Sequence, residues 1–312
     1  MTTSRISTSA TAPLITAMVD AIASRTSGTG DFDTAIPGLT FFRREVLAGP
    51  TVCMTEPSVV LVAQGAKRLW LGGTAYRYDA DHFLLTSLDL PANSEVLEAD
   101  SRKPCLGLTM KLDLRVVADL IAQGSIPPTR DRAVGACVGI GDATPTLLRP
   151  FDRLLGLLDE PDAIPALAPL IQREIHYRLL VSSQAAKLRR IALVDGQGHR
   201  IAKAIDWVKL NYAEPLRVED LAARVQMSAP TFRQHFRQLT AMSPLQYQKW
   251  LRLNEAKRLM LNEHLDASSA AFKVGYESPS QFSREYRRLF GSPPKKDVSS
   301  LRGLAVAPTS GQ

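Results

Sequence analysis

The chain has 312 residues, 45% hydrophobic and 22% charged, with a formal net charge of +7. That length favours two domains, and the apolar content excludes a chain disordered throughout, since each half carries enough hydrophobic side chain to bury a core. The charge is confined: from Arg200 onward there are 18 Lys and Arg against 10 Asp and Glu, whereas residues 1–199 hold 20 against 21. A confined basic region fits a polyanionic partner, because clustered cations gain affinity by releasing counterions from phosphates.

No run of about 18 uncharged apolar residues occurs, so no membrane span is expected. The opening "MTTSRISTSATAPLITAMVDAIASR" is interrupted by Asp20 and lacks a compact apolar core with a cleavage site, which places the protein in the cytoplasm. Next, "PSVVLVAQGAKRLWLGGTAYRYDADHFLLTSLDLPANSEVLEA" reads as short strands punctuated by turns at Gly65, Gly72-Gly73, Asp79 to Asp81 and Pro91 to Asn93. "RKPCLGLTMKLDL" continues with Leu106, Leu108, Met110 and Leu112 alternating. The expectation is an antiparallel β domain over about 35–112, followed by helical segments over about 112–190, within an N-terminal domain of 1–195. The glycines of "VDGQGHR", residues 194–200, mark the boundary.

Downstream every pattern is helical, and one unit is duplicated. "Ser228-Ala-Pro-Thr-Phe232-Arg-Gln-His-Phe236" recurs as "Ser278-Pro-Ser-Gln-Phe282-Ser-Arg-Glu-Tyr286". Each copy follows a short Ala-rich helix ("DLAARV", "SSAAFKV") and a tight connection, and each is followed by Ser-Pro, at 243 and 292. Ser228 and Ser278 stand where a helix is capped, and Pro230 and Pro279 fall in the first turn, where a missing N–H costs nothing. Phe232, Phe236, Phe282 and Tyr286 recur four apart and belong to the core. The opposite faces carry Thr231, Arg233, Gln234 and Arg237 in the first copy, and Ser280, Gln281, Arg284 and Arg288 in the second. Arginine can reach guanine bidentately and glutamine adenine, and a helix fits the major groove of DNA. Two short helices joined by a tight turn, the second polar outside, form a helix-turn-helix. Lys249, Arg252 and Arg287 either contact phosphates or face water.

At these residues the sequence resembles the AraC/XylS transcriptional regulators. The paired units and the run "VGYESPSQFSREYRRLFGSPP" are close to that family's signature over about residues 199–297, and the β-rich segment is similar to the cupin-like sensing domain of one branch. The resemblance implies an α+β chain: an N-terminal cupin-like antiparallel β domain with flanking helices for effector sensing and dimerisation, and a C-terminal all-α DNA-binding domain over 199–299 with two helix-turn-helix units. A disordered tail is expected over 300–312. By the family pattern, Pro230, Thr231, Arg233 and Gln234 carry the first recognition helix, and Ser280, Gln281 and Arg284 the second. Ala241 departs from the pattern where the family commonly has a helix-ending Gly; Gly291 keeps it in the second copy. Since Ala avoids φ > 0, the first helix is expected to end differently.

No metal, cofactor or catalytic constellation is expected. The histidines at 82, 176, 199, 235 and 264 show no HxH or HExxH spacing, and His82 reads as a partly buried structural residue. "GIGD" and "GQGH" lack the third glycine of a dinucleotide fingerprint, and neither a phosphate-binding GxxxxGK[ST] nor a GxSxG elbow occurs. Three cysteines without a CxxC pair suggest no disulfide framework. Cys53 and Cys105 are either small buried hydrophobes or sensors of oxidants and electrophiles, the latter requiring an exposed thiol of lowered pKa; Arg102 and Lys103 stand near Cys105 to favour a thiolate. The reading is a sequence-specific DNA-binding transcription regulator, not an enzyme, responsive to an unidentified small molecule. The resemblance implies an activator that contacts RNA polymerase. The alternative is a cupin-like enzyme with an appended nucleic-acid-binding domain.

Overall fold

In a computed structural model, which describes residues 3–124, 126, 135–193 and 196–306, two compact units form. One holds the residues up to Ala202 with Gln238–Ala241, the other Lys203–Arg237 and the chain from Met242. No helix among the described residues is long and apolar enough to cross a membrane.

The first unit opens with helix α1 (Thr3–Ala23) and continues through strands β1 (Gly30–Asp33), β2 (Leu39–Arg44), β3 (Ala48–Thr55), β4 (Ser58–Gln64), β5 (Ala66–Leu71), β6 (Thr74–Asp79), β7 (His82–Thr86), β8 (Leu90–Glu98) and β9 (Cys105–Lys111). Helix α2 (Leu114–Ala122), strand β10 (Val138–Asp142) and helices α3 (Pro145–Gly156), α4 (Ile164–Leu180) and α5 (Ala185–Ala192) complete it. All ten strands join one sheet in the order β1-β2-β9-β4-β7-β6-β5-β8-β3, with β10 also on β7, and every ladder is antiparallel. The sheet curls into a half-barrel. One face buries Phe41, Leu61, Leu85 and Leu108 in the same core as Met18 and Ile22 of α1, Phe151 and Leu154 of α3 and Leu179 of α4.

The turns at Gly72-Gly73 and at Asp79 to Asp81 fall where the sequence puts them, between β5 and β6 and between β6 and β7. Pro91 to Asn93 do not turn. They lie inside β8, paired with Cys53 and Met54 of β3 and, for Asn93, with Val52. Pro91 is the second residue of its strand, near the end where a missing N–H is tolerated. Nor is the segment after 112 wholly helical: β10 returns to pair along the whole of β7. His176, buried on α4, accepts from the backbone N–H of Asp113 through Nε2 (2.9 Å) and donates from Nδ1 to the carbonyl of Gln172 (2.6 Å), tying the start of α2 to α4. Burial pushes its pKa down, consistent with a neutral ring.

The second unit is helical: α6 (Gln197–Leu210), α7 (Val218–Arg224), α8 (Ala229–Thr240), α9 (Pro244–Asn262), α10 (Ala267–Lys273), α11 (Pro279–Phe290) and α12 (Pro294–Val306), with both ends of α6–α8 shared between the units as given above. Val194 and Asp195, in the expected boundary segment, lie outside the described residues, as do residues 307–312. The expected disordered tail from residue 300 is corrected as far as Val306, because α12 continues through it. Long α9 begins with a capping box between Ser243 and Gln246 and has Pro244 in its first turn.

Candidate nucleic-acid interface

The two duplicated units fold alike because the same local chemistry ends and restarts the helix. In the first, α7 stops at Val225; Gln226 takes a left-handed φ of 57°, and the N–H groups of Met227 and Gln226 return to the carbonyls of Ala222 (2.9 Å) and Ala223 (3.0 Å). In the second, α10 stops at Val274; Gly275 has φ 88°, and the N–H groups of Tyr276 and Gly275 return to Ala271 and Phe272, both at 3.0 Å. Each is a Schellman closure, which satisfies carbonyls the helix end would otherwise leave unpaired. At Gly275 the reason for glycine is steric as well: a Cβ would lie 2.1 Å from the carbonyl oxygen of Ala213.

Each second helix then buries its aromatic stripe. Phe232, Phe236, Phe282 and Tyr286 are fully buried. The Phe232 and Phe236 ring centroids lie 5.6 Å apart and Phe236 meets Tyr247 of α9 edge-on at 5.7 Å; Phe282 lies 5.4 Å from Tyr276 and 5.5 Å from Tyr286. Such pairs add about 0.5–1.5 kcal/mol each beyond their buried area. With that stripe fixed inward, Pro230, Arg233, Gln234 and Arg237 fall at i, i+3, i+4 and i+7 on the exposed side of α8, with Thr231 half-buried beside them. Ser280, Gln281, Arg284 and Arg288 are exposed on α11.

The polar details differ between copies. Ser278 accepts from the N–H of Gln281 (3.3 Å), as a cap should, whereas the Ser228 hydroxyl donates to the Thr231 hydroxyl (2.8 Å). Arg233 is ion-paired with Glu219 of α7; both side chains are more than half exposed, so the pair contributes little. The side chains of Arg284, Arg287 and Arg288 have no ion-pair or hydrogen-bond partner among the described residues. Ala241 takes φ 62°. The expected difference in helix ending therefore does not arise: Ala241 adopts the left-handed conformation that Gly291 adopts at φ 81°.

Two residues left open between phosphate contact and solvent turn out to have other work. Arg252 donates to four backbone carbonyls, those of Tyr212 (2.7 Å), Gly275 (2.8 Å), Ala213 (3.0 Å) and Glu214 (2.9 Å), pinning the loop after α6 and the turn of the second unit onto α9. Lys249 pairs with Glu285 (2.8 Å), which also accepts from the Tyr276 hydroxyl (2.7 Å) and from Gln281 (3.3 Å). Burial alone would raise the Glu285 carboxyl, but these three donors hold it below the usual range. Glu219 and Glu285 carry no sequence signal. Glu219 meets Arg233 across a helix junction, and Glu285 meets Lys249 and Tyr276 from other elements; only its bond from Gln281, four residues earlier on α11, follows helical spacing.

In the first unit Cys105 is fully buried and Cys53 partly so. Both strand faces around Cys105 are covered, so standing out of phase with Leu106 does not expose it. Burial pushes both thiols up; the cations that oppose this are Lys67 for Cys53, and Lys67 and Arg44 for Cys105, rather than Arg102 and Lys103. His82, half-exposed, hydrogen-bonds Asp79 across the tight turn (2.8 Å).

Two family models account for most of this architecture. The AraC-type transcriptional regulator N-terminus matches residues 35–187 and a helix-turn-helix domain matches residues 221–298. Among curated relatives, the HTH-type transcriptional activator RhaS of Escherichia fergusonii is 28% identical over 152 residues, 48% of this chain and 53% of that protein. The virulence regulon transcriptional activator VirF of Yersinia enterocolitica is 25% identical over 223 residues, 70% of this chain and 81% of VirF. The chain spans 49% to 63% of the length of the first curated relatives it matches. A crystal structure of unsaturated fatty acid bound wild-type ToxT from Vibrio cholerae aligns with a TM-score of 0.53 at 10% identity, covering 88% of this chain and 96% of that one, a likeness of fold. With a half-barrel of the AraC type followed by two helix-turn-helix units, the chain belongs to the AraC/XylS family of DNA-binding transcription regulators.

Proposed function

We propose that this regulator reads a DNA site of two adjacent major-groove segments, α8 entering one and α11 the other. In this reading Arg233, Gln234 and Arg237, with Pro230 and Thr231, contact the first segment, and Ser280, Gln281 and Arg284 the second, while Arg288 contacts phosphate. The domains are an N-terminal sensor of residues 1–195 and a DNA-binding domain of 199–299. The sensor binds a small-molecule effector, and the helices after the sheet couple it to the DNA domain or dimerise it. The output is transcription activation through RNA polymerase in the cytoplasm. The observation that carries the reading is the repeated one: in both copies a fully buried aromatic stripe turns a row of Arg and Gln side chains outward. The basic excess beyond residue 200 supports it, since that charge supplies sequence-independent affinity while base contacts supply specificity. An effector acts by binding one arrangement of the regulator better than another.

Footprinting the full-length protein on DNA from its own gene neighbourhood, at stated salt, tests this. A discrete protected site covering two major-groove segments about 34 Å apart is expected. Diffuse, salt-sensitive protection alone would reduce the second unit to a nonspecific anchor.

A further inference from the structure

The half-barrel carries an open-mouthed cavity of about 310 Å³ whose charges do not balance. Five charged side chains line it: Asp31, Arg44, Glu56, Lys67 and Lys111. Two pairs cancel, Arg44 with Asp31 and Lys111 with Glu56, each at 2.6 Å. Lys67 is left over. Among the described residues no carboxylate pairs with its ammonium, which sits 4.3 Å from the centroid of the Phe42 ring. The strand that carries it, β5, is flanked on both sides by β6 and β8, so its side chain is held within the sheet rather than at an edge.

A desolvated cation without a counterion is costly, and proteins ordinarily pair it or let it lose its proton. Burial first, and then the neighbouring Arg44 guanidinium, pull the Lys67 amine below the usual lysine range. The nearby thiols of Cys53 and Cys105 do not supply the missing negative charge, because burial keeps both protonated. The rest of the wall mixes apolar side chains, Phe42, Val60, Leu69 and Leu84 among them, with hydroxyl groups such as those of Ser58, Tyr78 and Thr109, so the unpaired cation faces a wall that is apolar on one part and hydroxyl-lined on another. Small-molecule sites commonly combine apolar side chains with placed polar groups that fix orientation, and this volume stands at the small end of such sites.

We propose that this cavity is the effector site and that its ligand is a small monocarboxylate with an apolar body, the carboxylate paired with Lys67 and the body against Phe42, Val60, Leu69 and Leu84. The proposal rests on the reading of the N-terminal domain as a sensor. A neutral ligand leaves the ammonium unpaired, and a dianion brings one charge more than the cavity lacks. A buried, hydrogen-bonded ion pair of this kind discriminates strongly, because the analogue without the charge strands its partner.

The probes are octanoate and 1-octanol, of equal chain length, titrated calorimetrically into full-length wild type, Lys67→Met and Lys67→Arg, with DNA occupancy read alongside. Octanoate is expected to bind wild type about tenfold or more tightly than octanol does; Lys67→Met removes that preference and Lys67→Arg keeps most of it. Removing an unpaired, half-buried cation should leave Lys67→Met at least as resistant to heat as wild type, and the wild-type comparison of the two probes stands without any variant. Octanol binding as tightly as octanoate, octanoate binding unchanged in Lys67→Met, or no binding of octanoate overturns the carboxylate assignment. Octanoate binding that depends on Lys67 but never alters DNA occupancy supports the site while removing the sensor reading.

Discussion

The two helix-turn-helix copies are built on the same buried aromatics and the same Schellman turn, yet they differ at the points where the backbone is tight and where an arginine faces outward. In the second copy the turn needs glycine, and the Arg284 side chain has no partner among the described residues. In the first, Gln226 occupies the equivalent left-handed position, and Arg233 is paired with Glu219. The comparison teaches that a repeat conserves what closes the helix and fills the core, because those requirements are local. The outer face is free to diverge, since in the proposed reading each copy meets a different stretch of DNA.

The largest expected effect tests the backbone side of that comparison. Gly275→Ala puts a methyl 2.1 Å from a carbonyl oxygen at φ 88°, which should destabilise the second unit by about 2–5 kcal/mol in urea denaturation. Gln226→Ala keeps a Cβ where one is already accommodated and should change stability by less than about 1 kcal/mol. Equal losses would mean that the two turns are under the same constraint.

The next effect tests the outward arginines. Arg284→Ala should weaken binding to the cognate site by about 1–3 kcal/mol and relax base preference at one position. Arg233→Ala should cost less, because Arg233 must first give up Glu219. Arg288→Ala should weaken all sequences alike and lower the salt slope by about 1. If Arg233→Ala and Arg284→Ala both bind the cognate site as the parent does, α8 and α11 are not the reading heads.

A smaller effect isolates the ion pair. Glu219→Gln frees Arg233 and removes an anion beside the face proposed to meet DNA, so affinity should rise a few fold at low salt. That gain should fade as salt is raised, since an exposed charge is screened within a Debye length of about 10 Å at 0.1 M. A gain that persists at high salt would point to a change in the helix rather than in its charge.

What the sequence made legible follows from range. The paired units could be read because the cap, the prolines, the four-residue aromatic spacing and the Ser-Pro that follows are all local signals. Most of the half-barrel strands were legible for the same reason, down to the Gly72-Gly73 turn, although Pro91 to Asn93 read as a turn and lie inside β8. The return of β10 to β7 was not: "VGIGD" is too short and too glycine-rich to declare a strand, and its pairing with residues 82–86 is set by the sheet. Arg252 reads as a surface cation in sequence, yet three of its four acceptors come from residues 212–214 and the fourth from Gly275, positions only the fold brings together. Lys67 illustrates the same limit, since an alternating strand shows which side a residue faces and cannot show that the cavity lacks a counterion.

The smallest effect concerns the end of α8. Ala241 holds φ 62°, where an L-residue pays about 1–2 kcal/mol relative to its preferred region, while Gly291 ends α11 at φ 81° without that penalty. Ala241→Gly relieves the strain but gives the unfolded chain more freedom, which returns about 0.4–1 kcal/mol, so a net stabilisation of about 0.5 kcal/mol is expected. Gly291→Ala should move the other way by about 1 kcal/mol, because nothing crowds the added Cβ and only the backbone conformation opposes it. Thermal denaturation of the two single variants and the double variant separates these terms, and a departure from additivity would show that the two helix ends are coupled. If Ala241→Gly destabilises instead, the methyl group of Ala241 contributes packing that outweighs its strain.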